Sequence, residues 1–186
     1  MSKKLSLKAI IASLFSIVLL TSCTTSVEEK IIKEYNNINK NVSLLEQEIV
    51  ILDGTVVLAE KDVVYNVVDG TKKVTTKTLN DIDAAEEYLT TSSTTTASIN
   101  ETKLNLALET FSSYTLDTNN DLTAVINNSS VKSVLGIEAS EVNGNVTVFF
   151  DVTVDGNKVA IEQVVISYKT ANGYDAKVTT SYTYKK

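Results

Sequence analysis

The chain has 186 residues, 43% of them hydrophobic, about one domain's worth and enough to bury a core. It contains no His, Trp, Pro or Arg; all 17 basic residues are Lys, and Met1 and Cys23 are the single Met and Cys. Without an imidazole, a guanidinium fork or a second thiol, His and multi-Cys metal sites, Cys–His nucleophiles and bidentate phosphate clamps are excluded, and a net charge of −6 excludes a nucleic-acid partner.

The chain opens with a positive segment, Lys3, Lys4 and Lys8, followed by the apolar stretch Ala9 to Leu20. That stretch is too short to span a bilayer but has the length of an export signal's apolar region. It runs into Leu20-Thr21-Ser22-Cys23, an aliphatic residue three positions before the cysteine and a small one just before it. This resembles the lipobox of bacterial lipoproteins. The resemblance implies a signal peptide over 1–22, cleavage between Ser22 and Cys23, a diacylglycerol thioether on Cys23, and a lipidated tether over 23–26 at the bacterial cell envelope. The membrane would then be engaged through lipid alone, because the first 22 residues carry three of the 17 lysines and none of the 23 acids, leaving a mature chain that anionic head groups repel.

From Ser26 the period becomes helical. Ile31, Tyr35, Ile38, Val42, Leu45, Ile49 and Leu52 recur at spacings of four and three, which predicts an amphipathic helix with Ser26 as N-cap and Glu28 and Glu29 in its first turn. Its seam either packs on its own domain or joins another chain. Next come turn signals: five of the six glycines follow Asp or Asn, at Gly54, Gly70, Gly144, Gly156 and Gly173, the dipeptides that two-residue hairpins favour. Ile49 to Leu79 therefore holds a further hairpin. Between it and the C-terminal region the pattern predicts short helices: Asp81 to Leu89, a capping box at Ser98 and Glu101, and one or two turns within Leu122 to Gly136, with Gly136 as a C-cap. The seven Ser and Thr residues from Thr90 to Thr96 read as a solvated loop.

The C-terminal region alternates in the strand period. Val146, Val148, Phe150, Val152 and Val154 share one face, as do Tyr174, Ala176, Val178, Thr180, Tyr182 and Tyr184. The middle strand changes phase near Glu162 and Gln163, which predicts a bulge or burial on both faces. The expected fold is α+β: an N-terminal amphipathic helix, an antiparallel sheet including a C-terminal three-stranded meander, and short helices on one sheet face, in a single domain over 27–186.

The candidate sites are few. Asp117, Asn119 and Asp121 have the spacing of the first three ligands of a calcium loop, but Leu122 stands where Gly should follow and Asn128 where a bidentate acid should close the cage. Paired acids and abundant Ser and Lys fit no catalytic motif, so the expectation is a chain with no enzymatic activity and no cofactor. Tyr174, Tyr182 and Tyr184 cluster on one strand face and are the candidates for partner contact, tyrosine combining area with a hydrogen-bonding tip. The functional expectation is an anchored, non-catalytic binding or adhesion module with a protein or surface ligand. The alternative is a structural accessory subunit that anchors an envelope assembly through its N-terminal helix.

Overall fold

The computed structural model describes residues 25–79, 88–96, 104–156 and 158–186. Among them the first element is helix α1, Val27–Asn41, closed by a reciprocal box: Glu29 N–H donates to Ser26 Oγ at 3.3 Å and Ser26 N–H to the Glu29 carboxylate at 3.1 Å. Glu28 and Glu29 sit at the positive end of its dipole and Lys40 at the negative end, each favourable by some tenths of a kcal/mol. Ile31, Ile32, Tyr35 and Ile38 face inward and are buried.

Nine antiparallel strands follow: β1 Val42–Asp53, β2 Val56–Asn66, β3 Thr71–Leu79, β4 Tyr88–Thr96, β5 Phe111–Leu116, β6 Leu122–Ile126, β7 Val142–Asp155, β8 Lys158–Thr170 and β9 Asp175–Tyr184. They form one sheet in the order β4-β3-β2-β1-β9-β8-β7-β6-β5. Besides α1, the helices among the described residues are the five-residue α2, Val131–Leu135, and single 3-10 turns. The α+β expectation is thereby corrected: the sheet dominates the molecule, and helix covers only part of one face.

Three local readings change with it. The helix ends at Asn41 and the rest of the expected seam, from Val42 to Leu52, is strand β1. A register slip between Val42 and Leu44 lets Val42 and Leu45 both be buried, and the polar Gln47 then interrupts the inward series Leu45, Ile49, Ile51. A slipped strand with one polar inward residue imitates the four-three spacing. Thr90 to Thr96 is most of strand β4, since β-branched Thr suits a pleated ladder once β3 offers one. Leu122 to Ile126 is strand β6, with Leu122, Ala124 and Ile126 buried in alternation; only Val131–Leu135 of that stretch is helical, ending at Gly136 with φ +73°. The helix expected over 81–89 lies outside the described residues apart from Tyr88 and Leu89, which open β4. The capping box at Ser98 and Glu101 lies outside them altogether.

Of the three late hairpin signals, Asp155-Gly156 and Asn172-Gly173 turn the chain between β7, β8 and β9. Asn143-Gly144 does not; it lies inside β7 where the register with β8 breaks between Asn143 and Thr147, Gly144 taking φ +85° as bulge glycines do. The phase change in β8 is a bulge: Val152 pairs with Ile161 and Asp151 with Gln163, leaving Glu162 without an opposite residue. The inner faces of β6, β7 and β8, with α1 and α2 laid over them, make the core. Phe150, Val148 and Ile161 are fully buried, and the Tyr35 ring meets Phe150 edge-on at 5.6 Å.

Candidate binding site

Between α1 and the sheet the packing leaves a cavity of about 250 Å³. Tyr35 of α1 forms its roof, Leu135 and Ile137 one wall, and the inward residues of three neighbouring strands its floor: Ile49 of β1, Val178 of β9, and Val164 and Ile166 of β8. None of the described lining residues is charged. Two polar side chains interrupt the floor, Gln47 and Thr180, which sit opposite each other on β1 and β9; Gln47 Nε2 donates to Thr180 Oγ1 at 3.2 Å. Tyr168 stands at the margin, its hydroxyl pKa raised by burial and then by the charge of Glu141. Sequence alternation groups Val164, Ile166, Tyr168, Val178 and Thr180 by face, but Gln47 and Ile49 are hidden within the apparent helical seam.

The roof is held rigidly. Leu104 N–H donates to the Tyr35 hydroxyl at 2.9 Å, and that hydroxyl also bonds to Tyr182. Burial pushes the Tyr35 hydroxyl up to about 12, against the two hydrogen bonds, which pull it down. Tyr182 is raised well above its ordinary value, first by burial and then by its tyrosine neighbours. Both are neutral hydrogen-bonding groups at any ordinary pH.

The three candidate tyrosines therefore divide. Tyr182 is half-buried with its hydroxyl on Tyr35. Tyr184 is half-buried too, and its hydroxyl accepts the Ile161 N–H at 2.7 Å. Tyr174, before β9, donates its main-chain N–H to Thr170 Oγ1 at 3.1 Å within the β8–β9 turn. The structure brings Tyr182 and Tyr184 together on the inner face but gives both hydroxyls partners inside the domain.

Asp117, Asn119 and Asp121 lie together in the β5–β6 connection. Asp117 Oδ1 accepts the N–H groups of Asn119 at 2.8 Å and Asp121 at 2.9 Å, Asn120 takes φ +73°, and Asp121 Oδ1 accepts Val152 N–H at 2.9 Å. These oxygens brace a hairpin turn. The closest carboxylate group among the described residues is elsewhere, on the outer face: Glu48 of β1 with Glu60 and Asp62 of β2, their oxygens within 4.8 Å of one another. The Glu48–Asp62 cross-strand pair becomes visible only once β1 is recognised as a strand. Lys77 offsets the cluster, lying 3.5 Å from Glu60 and over the Tyr88 ring at 4.3 Å.

Cys23 lies outside the described residues, and no helix among them is long and apolar enough to cross a membrane. No protein-family model and no curated protein matches the chain. Among solved structures it is similar to a bifunctional dehydratase-cyclase domain in ambruticin biosynthesis, at 9% identity over 82% of this chain and 78% of that one, with a TM-score of 0.21. At that score nothing about this chain follows from the neighbour's chemistry.

Proposed function

We propose that the protein is an envelope lipoprotein, held by lipid on Cys23, whose domain is a non-catalytic binding module that receives a small uncharged apolar group beneath Tyr35. The observation that carries this reading is the uncharged cavity of about 250 Å³. A cavity of roughly 150 Å³ accommodates benzene, so this one suits an aliphatic or aromatic group of about ten carbons. Gln47 and Thr180 on its floor offer such a group one point of polar contact. The lipobox resemblance supports the anchor, and α1 starting at Val27 would hold the module close to the bilayer surface. Non-catalytic action rests on the side-chain inventory: no imidazole or guanidinium exists anywhere in the chain, and among the described lining residues no nucleophile has a base beside it. The alternative, assembly through the N-terminal helix, has less in its favour, because Ile31, Tyr35 and Ile38 are no more than 1% exposed within their own domain.

Two measurements test the two halves of the proposal. Cys23→Ser should abolish metabolic labelling by palmitate and leave an unprocessed precursor; unchanged labelling removes the anchor. An uncharged apolar fluorophore such as N-phenylnaphthylamine should brighten on binding, and Val178→Phe, which fills the cavity floor, should suppress that signal at unchanged melting temperature. Equal brightening in both proteins removes the site.

A further inference from the structure

The two edges of the sheet differ. β5 is six residues long and its pairing with β6 slips between Phe111 and Ser113, two features that blunt an edge against further pairing. β4 has neither. It is nine residues long, pairs with β3 without a slip from Thr71 opposite Thr96 to Leu79 opposite Tyr88, and is exposed from Leu89 to Thr96. No charge, proline or glycine interrupts YLTTSSTTT. As the terminal strand of the sheet among the described residues, β4 turns one full row of main-chain N–H and C=O groups outward, and the strand itself carries none of the usual protective devices.

We infer that this edge is an interface for a second copy of the chain, β4 pairing antiparallel with β4 across a two-fold axis near Ser92. Antiparallel pairing of a strand with itself satisfies the same donors and acceptors on both copies, as a closed two-fold contact requires, and places Ser and Thr side chains opposite one another, a favourable cross-strand combination. Charge also selects this edge. Two copies of a chain with net charge −6 repel over most of their surfaces, whereas β4 is uncharged and β3 behind it carries Lys72, Lys73 and Lys77 with no acid. In the pair, the two β3 strands would stand three strand spacings apart, roughly 14 Å, beyond the screening length of about 8 Å at physiological salt. An edge contact of this kind buries less than the ~1,200 Å² of a standard interface, so the dimer is concentration-dependent, favoured where copies are confined to one surface.

The test is sedimentation of the full chain, purified in mild detergent, over a concentration series. The wild type should move from monomer to dimer. Thr91→Lys with Ser93→Lys sets like charges opposite each other across the axis and should raise the dissociation constant about tenfold or more, with no change in melting temperature because both positions are exposed. Mixing that variant with the Thr91→Glu, Ser93→Glu variant should restore a one-to-one dimer. A wild type that stays monomeric throughout overturns the inference, and so does a dimer that both charge sets leave unchanged.

Discussion

The sheet has two halves built on one strand rhythm and opposite economies. From β9 to β6 the inward positions are filled with Val, Ile, Leu, Phe, Ala and Tyr, with Thr180 as a buried polar exception, and α1 and α2 cover them; Phe150 is 0% exposed. From β2 outward the inward positions lose that character: Val63 and Tyr65 of β2 are still buried, but Lys61, Lys72, Thr76, Thr78 and Thr91 share their face with Val74, and the far strand is open, with Leu89 56% exposed. Alternation alone makes both halves strands. Which half becomes core depends on the identity of the inward residue, because a helix is drawn only to a face that gains by leaving water. Among the described residues β3 and β4 add nothing to the buried core and are joined to β2 through their ladders and short-range ties such as Lys77 with Glu60.

The largest effect that can break this comparison is a paired truncation. Phe150→Ala removes a fully buried ring and its edge-on contact with Tyr35, and should cost about 4 kcal/mol in denaturant unfolding. Leu89→Ala removes a large apolar side chain of the open half and should stay within about 0.5 kcal/mol of wild type. Comparable losses would mean that β4 is covered by something and that the halves are not distinct.

The second effect is titration of the core half alone. The fold holds Tyr35 neutral up to about 12, whereas an unfolded tyrosine gives up its proton near 10. Above the unfolded value the denatured chain is the one that loses a proton, so the stabilisation is fully present below about pH 10 and is lost as pH rises toward 12. The loss is of order 2–3 kcal/mol, and Tyr182 adds to it in the same direction. Absorbance at 295 nm should show these two tyrosines ionising together with loss of folded signal. Ionisation of all tyrosines in one step before unfolding would place Tyr35 outside the core.

How much of this was legible follows the same division. The N-cap at Ser26, the C-cap at Gly136, the alternation of β7 and β9 and the phase change near Glu162 each depend on a handful of neighbouring residues, and each can be read from the sequence; that the phase change is a bulge rather than burial on both faces takes the register to decide. The end of α1 could not, because Val42, Leu45, Ile49 and Leu52 satisfy a helical spacing whose true cause is a register slip against β9. Nor could β4: a run of Ser and Thr carries no hydrophobic signal, and its strand state comes from the ladder that β3 provides. The cavity shared both difficulties. Three of its strands meet only through the β1–β9 pairing, which joins residues more than 120 positions apart, and no local pattern encodes that meeting.

The smallest effect concerns Tyr184, where a residue that reads from sequence as an accessible contact is placed as a brace. The β8–β9 ladder runs from Lys169 opposite Asp175 to Gln163 opposite Ser181 and stops at the bulge, so β8 parts from β9 and the N–H of Ile161 no longer has a carbonyl across from it. The Tyr184 hydroxyl takes that N–H at 2.7 Å. Ile161 itself is fully buried, which makes an unpaired amide there costly, although the half-exposure of Tyr184 allows water to recover part of the loss. Tyr184→Phe keeps the ring and removes the acceptor, and should lower stability by about 1–2 kcal/mol. Thr183→Ala, at the exposed neighbour, should be close to neutral. If Tyr184→Phe instead leaves unfolding unchanged and weakens attachment of a surface ligand, the hydroxyl belongs to a recognition surface and the bulge is satisfied by solvent.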